Sequence, residues 1–157
     1  MKIKSLGISK YMAGLVLAIS FPACADFSGR VVSIADGDTI TVLVERQQVK
    51  VRLVEIDTPE KAQAFGAKAK QALGDMVFGK DVAVEEHGKD RYARTLGRVM
   101  VNGQDANAEM VRQGYAWVYR KYSLNPDLLR LEFEAREAKR GLWVDPEPVP
   151  PWEWRHR

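Results

Sequence analysis

Two runs of β-forming residues sit close together early in the chain, Thr39–Val44 (TITVLV) and Val49–Ile56 (VKVRLVEI), joined by Glu45–Gln48. The second alternates apolar and polar side chains for most of its length, so as a strand it presents one face to a core and one to water. Asp26–Ile34, also rich in β-formers, precedes them and is followed by the turn signal Asp36-Gly37. Three strands on short polar links predict an antiparallel meander. The period then changes: Phe65, Ala69, Ala72, Leu73, Met76 and Val77 recur at helical spacing between Lys61 and Phe78, and Gly79 supplies a stop.

The rest of the chain repeats this alternation. Asp81–Glu86 and Leu96–Val101 read as two more strands, with Asn102-Gly103 as a turn. Ala106–Gln113 reads as a short helix closed by Gly114. Asp127–Lys139 places Leu128, Leu131, Ala135 and Ala138 on one side of a helix that ends at Gly141. Asn125 or Asp127 caps its start, with Pro126 in the favoured early position. Five strands and about three helices predict an α+β, mainly β domain: a small closed β-barrel with the helices packed outside it.

Both ends stand apart from this pattern. Lys2, Lys4 and Lys10 precede an apolar run from Met12 to Phe21, and Ala23-Cys24-Ala25 supplies the small residues of a cleavage site. That is the layout of a signal peptide over residues 1–25, with Asp26 as the first mature residue. The run is shorter than the roughly 20 residues of a membrane span. Export to a periplasm or to the medium is expected, with no membrane attachment after cleavage. Residues 146–157 form a Pro/Trp-rich tail, expected to be extended and either packed back on the domain or offered to another protein.

Removing residues 1–25 also removes the one cysteine and three lysines, leaving 21 basic against 21 acidic residues. The mature chain has no thiol chemistry and no global positive field to draw a polyanion. Affinity for nucleic acid has to come from local clusters. With two histidines in the sequence, His87 and His156, there are also too few nitrogen and sulfur ligands for a zinc site or a histidine-based nuclease.

Three clusters carry chemistry. They are Asp36-Gly37-Asp38-Thr39 at a strand entrance, Arg52–Glu60 (RLVEIDTPE) at a strand end, and Asp90–Arg98 (DRYARTLGR) leading into a strand. Hard cations take oxygen ligands. Asp38 and Asp57 at adjacent strand ends suit one such ion, with the Thr58 carbonyl as a third donor. Glu60, beyond the stiffening Pro59, suits a general base acting on a water. Arg52 and Arg94 suit the charge that builds on the phosphorus oxygens in phosphodiester cleavage. Arg52 and Asp57 are an odd number of residues apart, so this reading requires a bulge or a strand end between them.

In order and spacing, D-G-D-T, R-L-x-x-I-D-T-P-E and D-x-Y-x-R resemble the staphylococcal-nuclease (thermonuclease-like) family, and the likeness continues through Asn107 and Val111-Arg112-Gln113-Gly114. It spans about residues 28–143. The resemblance implies an OB-type five-stranded barrel and a calcium-dependent nuclease acting on DNA and RNA and leaving 3′-phosphates. It implies that Asp38 and Asp57 bind Ca2+ by side chain and Thr58 by its carbonyl. Arg52 and Arg94 then hold the phosphate, Glu60 is the base, and Tyr92 lies against the nucleotide's phosphate. For the aromatic that stacks on the base, Tyr115, Trp117, Tyr119 and Tyr122 are all candidates, with Tyr119 taken as the substrate-binding one. Two departures are visible: the segment from Glu60 to the first helix is short, and Ala93 stands where the family has glycine.

The competing reading is a non-catalytic nucleic-acid-binding module on the same barrel, since that fold also serves as a plain binding platform. A third is an exported interaction protein working through its tail. A pure binder has no need of two aspartates, a glutamate and two arginines at these spacings. The nuclease domain is expected over residues 26–145, as a monomer, with nucleic acid as its substrate.

Overall fold

The computed structural model describes residues 26–157; residues 1–25, where the signal peptide is expected, lie outside the described residues. Strands β1 (Phe27–Ile34), β2 (Thr39–Val44) and β3 (Gln47–Leu53) form the antiparallel meander. Helix α1 (Gly66–Val77) follows, then strands β5 (Asp81–Lys89) and β6 (Thr95–Val101), numbered after the short strand β4 (Ile56–Asp57). The sheet order is β3-β2-β1-β5-β6, and β6 returns to pair in parallel with β3. That last pairing closes a five-stranded mixed barrel of OB type with no open edge between β3 and β6.

The barrel interior is filled from alternate positions of every strand. Val31, Ile40, Val42, Val51, Leu53, Val84 and Val99 are buried together with Leu73 and Val77 of α1 and Met110 and Val111 of α2 (Ala106–Arg112). At Gly97 an added Cβ would lie 2.7 Å from a Val84 methyl and 2.9 Å from one of Val51, so glycine lets β6 approach both neighbours inside the barrel.

Two predicted elements are shorter than their periodicity suggests. Val49–Ile56 is not one strand: β3 ends at Leu53, Val54 and Glu55 turn, and Ile56–Asp57 resumes as β4. Glu55 sits in the left-handed region (φ 69°). Helix α1 begins at Gly66 rather than near Lys61, because the segment after Pro59 is spent on a tight turn. There Gln63 N–H donates to the Glu60 carbonyl and Gly66 N–H to that of Gln63. A Cβ at Gly66 would fall 2.0 Å from the Glu60 carbonyl oxygen, so only glycine permits this turn.

Two-residue strands add local detail: β7 (Gln104–Asp105) extends the sheet beyond β6, and β8 (Trp117–Val118) pairs with β4. Helix α3 (Pro126–Glu137) starts at Asn125, whose side chain accepts from Asp127 N–H. It buries Leu128, Glu132 and Ala135. Glu132 accepts from Val118 N–H at 2.9 Å and pairs with Arg120 and Arg136, tying β8 to α3.

The C-terminal segment packs on the domain. A 3-10 turn (Gly141–Val144) places Leu142 and Trp143 beside Trp117 and Ala135 in a second apolar cluster. An irregular stretch follows, and a short helix α4 (Pro151–Trp154) lays Trp152 against the same cluster. Among the described residues, no helix is long and apolar enough to cross a membrane.

Candidate functional site

The kink at Val54–Glu55 builds the site. By ending β3 early it turns Asp57 back toward Arg52, which a continuous strand would send to the opposite face. Arg52 then clamps the kink, its Nη1 donating to the carbonyls of Leu53 and Ile56 at 3.1 Å each. Its Nη2 lies 2.8 Å from Asp57 Oδ1 and 3.4 Å from Asp38 Oδ2. One guanidinium nitrogen thus spans both carboxylates.

Asp38 arrives from the β1–β2 turn. Its Oδ2 accepts from Thr58 N–H and Thr58 Oγ1, each at 3.2 Å, and its Oδ1 accepts from Thr39 Oγ1 at 3.0 Å. Gly37 makes this approach possible, since a Cβ there would meet Thr58 Oγ1 and Ala69 Cβ at 2.8 Å. Asp36 accepts from Asp38 N–H. Burial, with the Asp38 charge beside it, lifts the Asp36 carboxyl to about 6. Burial also raises Asp57, and Asp38 adds to this against the hydrogen bonds and charge of Arg155 and Arg52. On Arg52 burial acts to lower the pKa, but the charges of Asp38, Asp57 and Asp36 outweigh it and raise it. Three carboxyl groups, Asp36, Asp38 and Asp57, are thus crowded together beside Arg52 and Arg155.

That donor set suits a hard divalent ion. Asp38 and Asp57 are buried oxygen donors close enough to share a nitrogen. Among the described residues no three His, Cys, Asp or Glu side chains form a metal-holding group by themselves. A cation at this place needs backbone and water oxygens to complete its shell, and Thr58 is the adjacent backbone.

Glu60 stands at the rim, its side chain 40% exposed. Arg94 comes from the β5–β6 loop and reaches Thr39 Oγ1 at 3.4 Å, next to Asp38. It is held by Asp90, with Nε and Nη2 both 2.7 Å from Oδ2. Burial of Asp90 acts against ionisation, but hydrogen bonds from Arg94 and Tyr92 prevail and hold it below the usual carboxylate range. Ala93 is indeed in the left-handed region (φ 60°), where glycine is the less strained residue. Tyr92 is exposed, with Arg91 and Arg94 over its ring.

The four aromatic candidates separate. Trp117 is buried in the second cluster, and Tyr115 is half-buried against the main core. Tyr122 is exposed, edge-on to Tyr119 at 4.8 Å. Tyr119 has its own ring stacked on Trp152, with centroids 5.3 Å apart and planes 2° from parallel.

Several further residues reach the site, and no motif assigns them a role there. Arg155 pairs with both Asp57 and Glu60. Gln63 supports the Glu60 backbone. Glu55 anchors the kink, accepting from Arg98 through Oε2 and from Ser123 through Oε1. Asp36, the first residue of D-G-D-T, carries the sequence signal of a turn and none of its place beside Asp38.

The family model described as "Staphylococcal nuclease homologue" matches residues 50–145. "Protein ParB" of Escherichia coli is 51% identical, over 99% of this chain and 94% of its own length. "Micrococcal nuclease" of Shigella flexneri is 49% identical, over 91% of this chain and 88% of its own. An "Uncharacterized endonuclease" of Haemophilus influenzae is 49% identical, over 82% of this chain and 72% of its own. With the barrel, the clustered carboxylates and this agreement over most of its length, the chain belongs to the staphylococcal-nuclease family.

Proposed function

We propose that this protein is an exported, calcium-dependent nuclease that hydrolyses phosphodiester bonds of DNA and RNA and leaves 3′-phosphates. The observation that carries the reading is the pairing of two buried aspartates, Asp38 and Asp57, with Arg52 across them and Glu60 at the rim. The family relationship supports nuclease chemistry. The oxygen-only donor set favours a hard ion such as Ca2+.

In this reading Asp38, Asp57 and the Thr58 carbonyl hold the ion, which supplies Lewis-acid stabilisation of the phosphate when bound. Glu60 takes the proton of a water whose oxygen attacks phosphorus. Arg52 and Arg94 donate to the equatorial oxygens as their charge rises. The bond from phosphorus to the 5′-oxygen breaks, and that oxygen takes a proton from solvent. Tyr92, exposed beside Arg94, contributes a contact to the nucleotide's phosphate. Tyr119 is the substrate-binding aromatic of this reading; one face of its ring is stacked on Trp152, which leaves the other for a base.

The test is incubation of the mature protein with DNA and with RNA, in calcium and in chelator, followed by end-group analysis. Calcium-dependent cleavage leaving 3′-phosphates is expected. Binding without cleavage would favour a plain binding module, and 5′-phosphate ends would reverse the assigned bond polarity.

A further inference from the structure

The C-terminal segment reaches the candidate site at three places. Trp152 stacks on Tyr119 and meets Trp117 edge-on at 5.7 Å. Gln63 Nε2 donates to the Val149 carbonyl at 2.6 Å, while its Oε1 accepts from the Glu60 N–H at 3.0 Å. Gln63 therefore fastens the Glu60 turn to this segment from a buried position. Finally, Arg155 Nη2 donates to Asp57 Oδ2 at 2.7 Å, and its Nη1 donates to Asp57 Oδ1 at 3.3 Å and to Glu60 Oε1 at 2.6 Å.

These contacts differ in rigidity. Asp57 is 1% exposed and set in β4, so a guanidinium gripping both its oxygens has a fixed plane. Glu60 is a long side chain at the surface, and among the described residues Arg155 is the only partner of its carboxylate. Left alone, such a side chain samples many rotamers. The turn from Glu60 to α1 holds the Glu60 backbone through Gln63, but its hydrogen bonds stop short of the carboxylate. The order imposed on the Glu60 carboxylate thus comes from the C-terminal segment.

We propose that Arg155 is a positioning residue: anchored on Asp57, it holds the Glu60 carboxylate where the proton transfer occurs. This rests on Glu60 being the base. A guanidinium suits the task because its planar fork serves two carboxylates at once, which an ammonium cannot do in one plane. Misplacing a reacting group by about 1 Å can cost on the order of 10² in rate.

The experiment uses the full mature chain as wild type, Arg155→Ala, Arg155→Lys, Glu60→Gln and the Glu60→Gln/Arg155→Ala double variant. Turnover and KM are measured on DNA with calcium, calcium affinity by calorimetry, and folding by thermal melting. Arg155→Ala is expected to lower kcat by about 10- to 100-fold with KM within a few-fold. Arg155→Lys should fall between it and the wild type, and remains informative if the alanine variant does not fold. In the Glu60→Gln background the same alanine change should cost less than about 3-fold, because no base is left to place. Calcium should bind Arg155→Ala at least as tightly as the wild type.

An equal loss in both backgrounds would overturn the proposal. So would faster turnover by Arg155→Ala, which would make the segment a brake on the site. Tenfold weaker calcium binding would place its action on Asp57 instead. If Glu60→Gln itself cleaves within a few-fold of wild type, the functional reading fails and takes this proposal with it; a dead Glu60→Gln beside an indifferent Arg155→Ala sinks this proposal alone.

Discussion

Arg52 Nη2 lies 2.8 Å from Asp57 Oδ1 across a kink in their own segment, and the left-handed Glu55 (φ 69°) makes that contact possible. Glu55 is held there by Arg98 and by Ser123, from two different parts of the fold. Glu55→Ala is therefore expected to cost about 1–3 kcal/mol of stability, since Arg98 and Ser123 both lose a partner. Denaturant unfolding checks it. Activity should fall through the displaced Arg52–Asp57 pair, and an unchanged midpoint with normal turnover would mean the kink stands without Glu55.

Arg94→Ala and Glu60→Gln are each expected to remove most turnover while the protein folds and binds calcium. Arg94 acts on charge that develops only during reaction, and one such donor is typically worth about 10²–10³ in rate. Loss of a general base typically costs about 10²–10⁴. Asp38→Ala should instead weaken calcium binding itself. Turnover at saturating substrate and calorimetry on each variant separate these outcomes. Near-normal cleavage by Arg94→Ala or Glu60→Gln would remove the assigned catalytic roles, and normal calcium binding by Asp38→Ala would remove the metal assignment.

Salt should weaken nucleic-acid binding only gently. The chain from Asp26 onward carries equal numbers of basic and acidic residues, and Arg52 and Arg94 are already partly occupied by Asp38, Asp57 and Asp90. A plot of log affinity against log salt is expected to give a slope corresponding to roughly two to four phosphates. A slope like that of proteins making six to ten contacts would reveal a basic surface that this reading lacks.

Cleavage before Asp26 is expected on export. Asp26 N–H donates to the Val84 carbonyl at 2.9 Å, so the mature chain would begin directly on the sheet. N-terminal sequencing of exported protein checks the site. A lipid-modified Cys24 or an uncleaved chain would contradict it.

Much of the fold was legible because it depends on local pattern. The alternation of Val49, Val51 and Leu53 with polar neighbours and the helical spacing of Ala69, Leu73 and Val77 each required one face to be apolar, whatever packed against it. The stop at Gly79 and the cap at Asn125 are likewise local. Helix α3 shows the limit. Leu128 and Ala135 on its inner face follow the apolar period, but Glu132 lies between them and is buried because Arg120, Arg136 and the Val118 amide meet it there. No spacing rule foretells a buried carboxylate whose partners come partly from another element.

For the site the same division holds. The sequence by itself determined which side chains were available for oxygen-ligand and phosphate chemistry, and it required a break between Arg52 and Asp57, because strand parity is a property of the backbone alone. Only the tertiary structure decided what those side chains meet. It put Asp38 against Thr58, used Arg52 as a clamp on the kink, covered Tyr119 with Trp152 and brought Arg155 onto Asp57 and Glu60. The physical reason is that such contacts join segments up to 98 residues apart. Their geometry is set by how the barrel closes and where the last helix packs, and neither is encoded in the neighbours of any one of these residues.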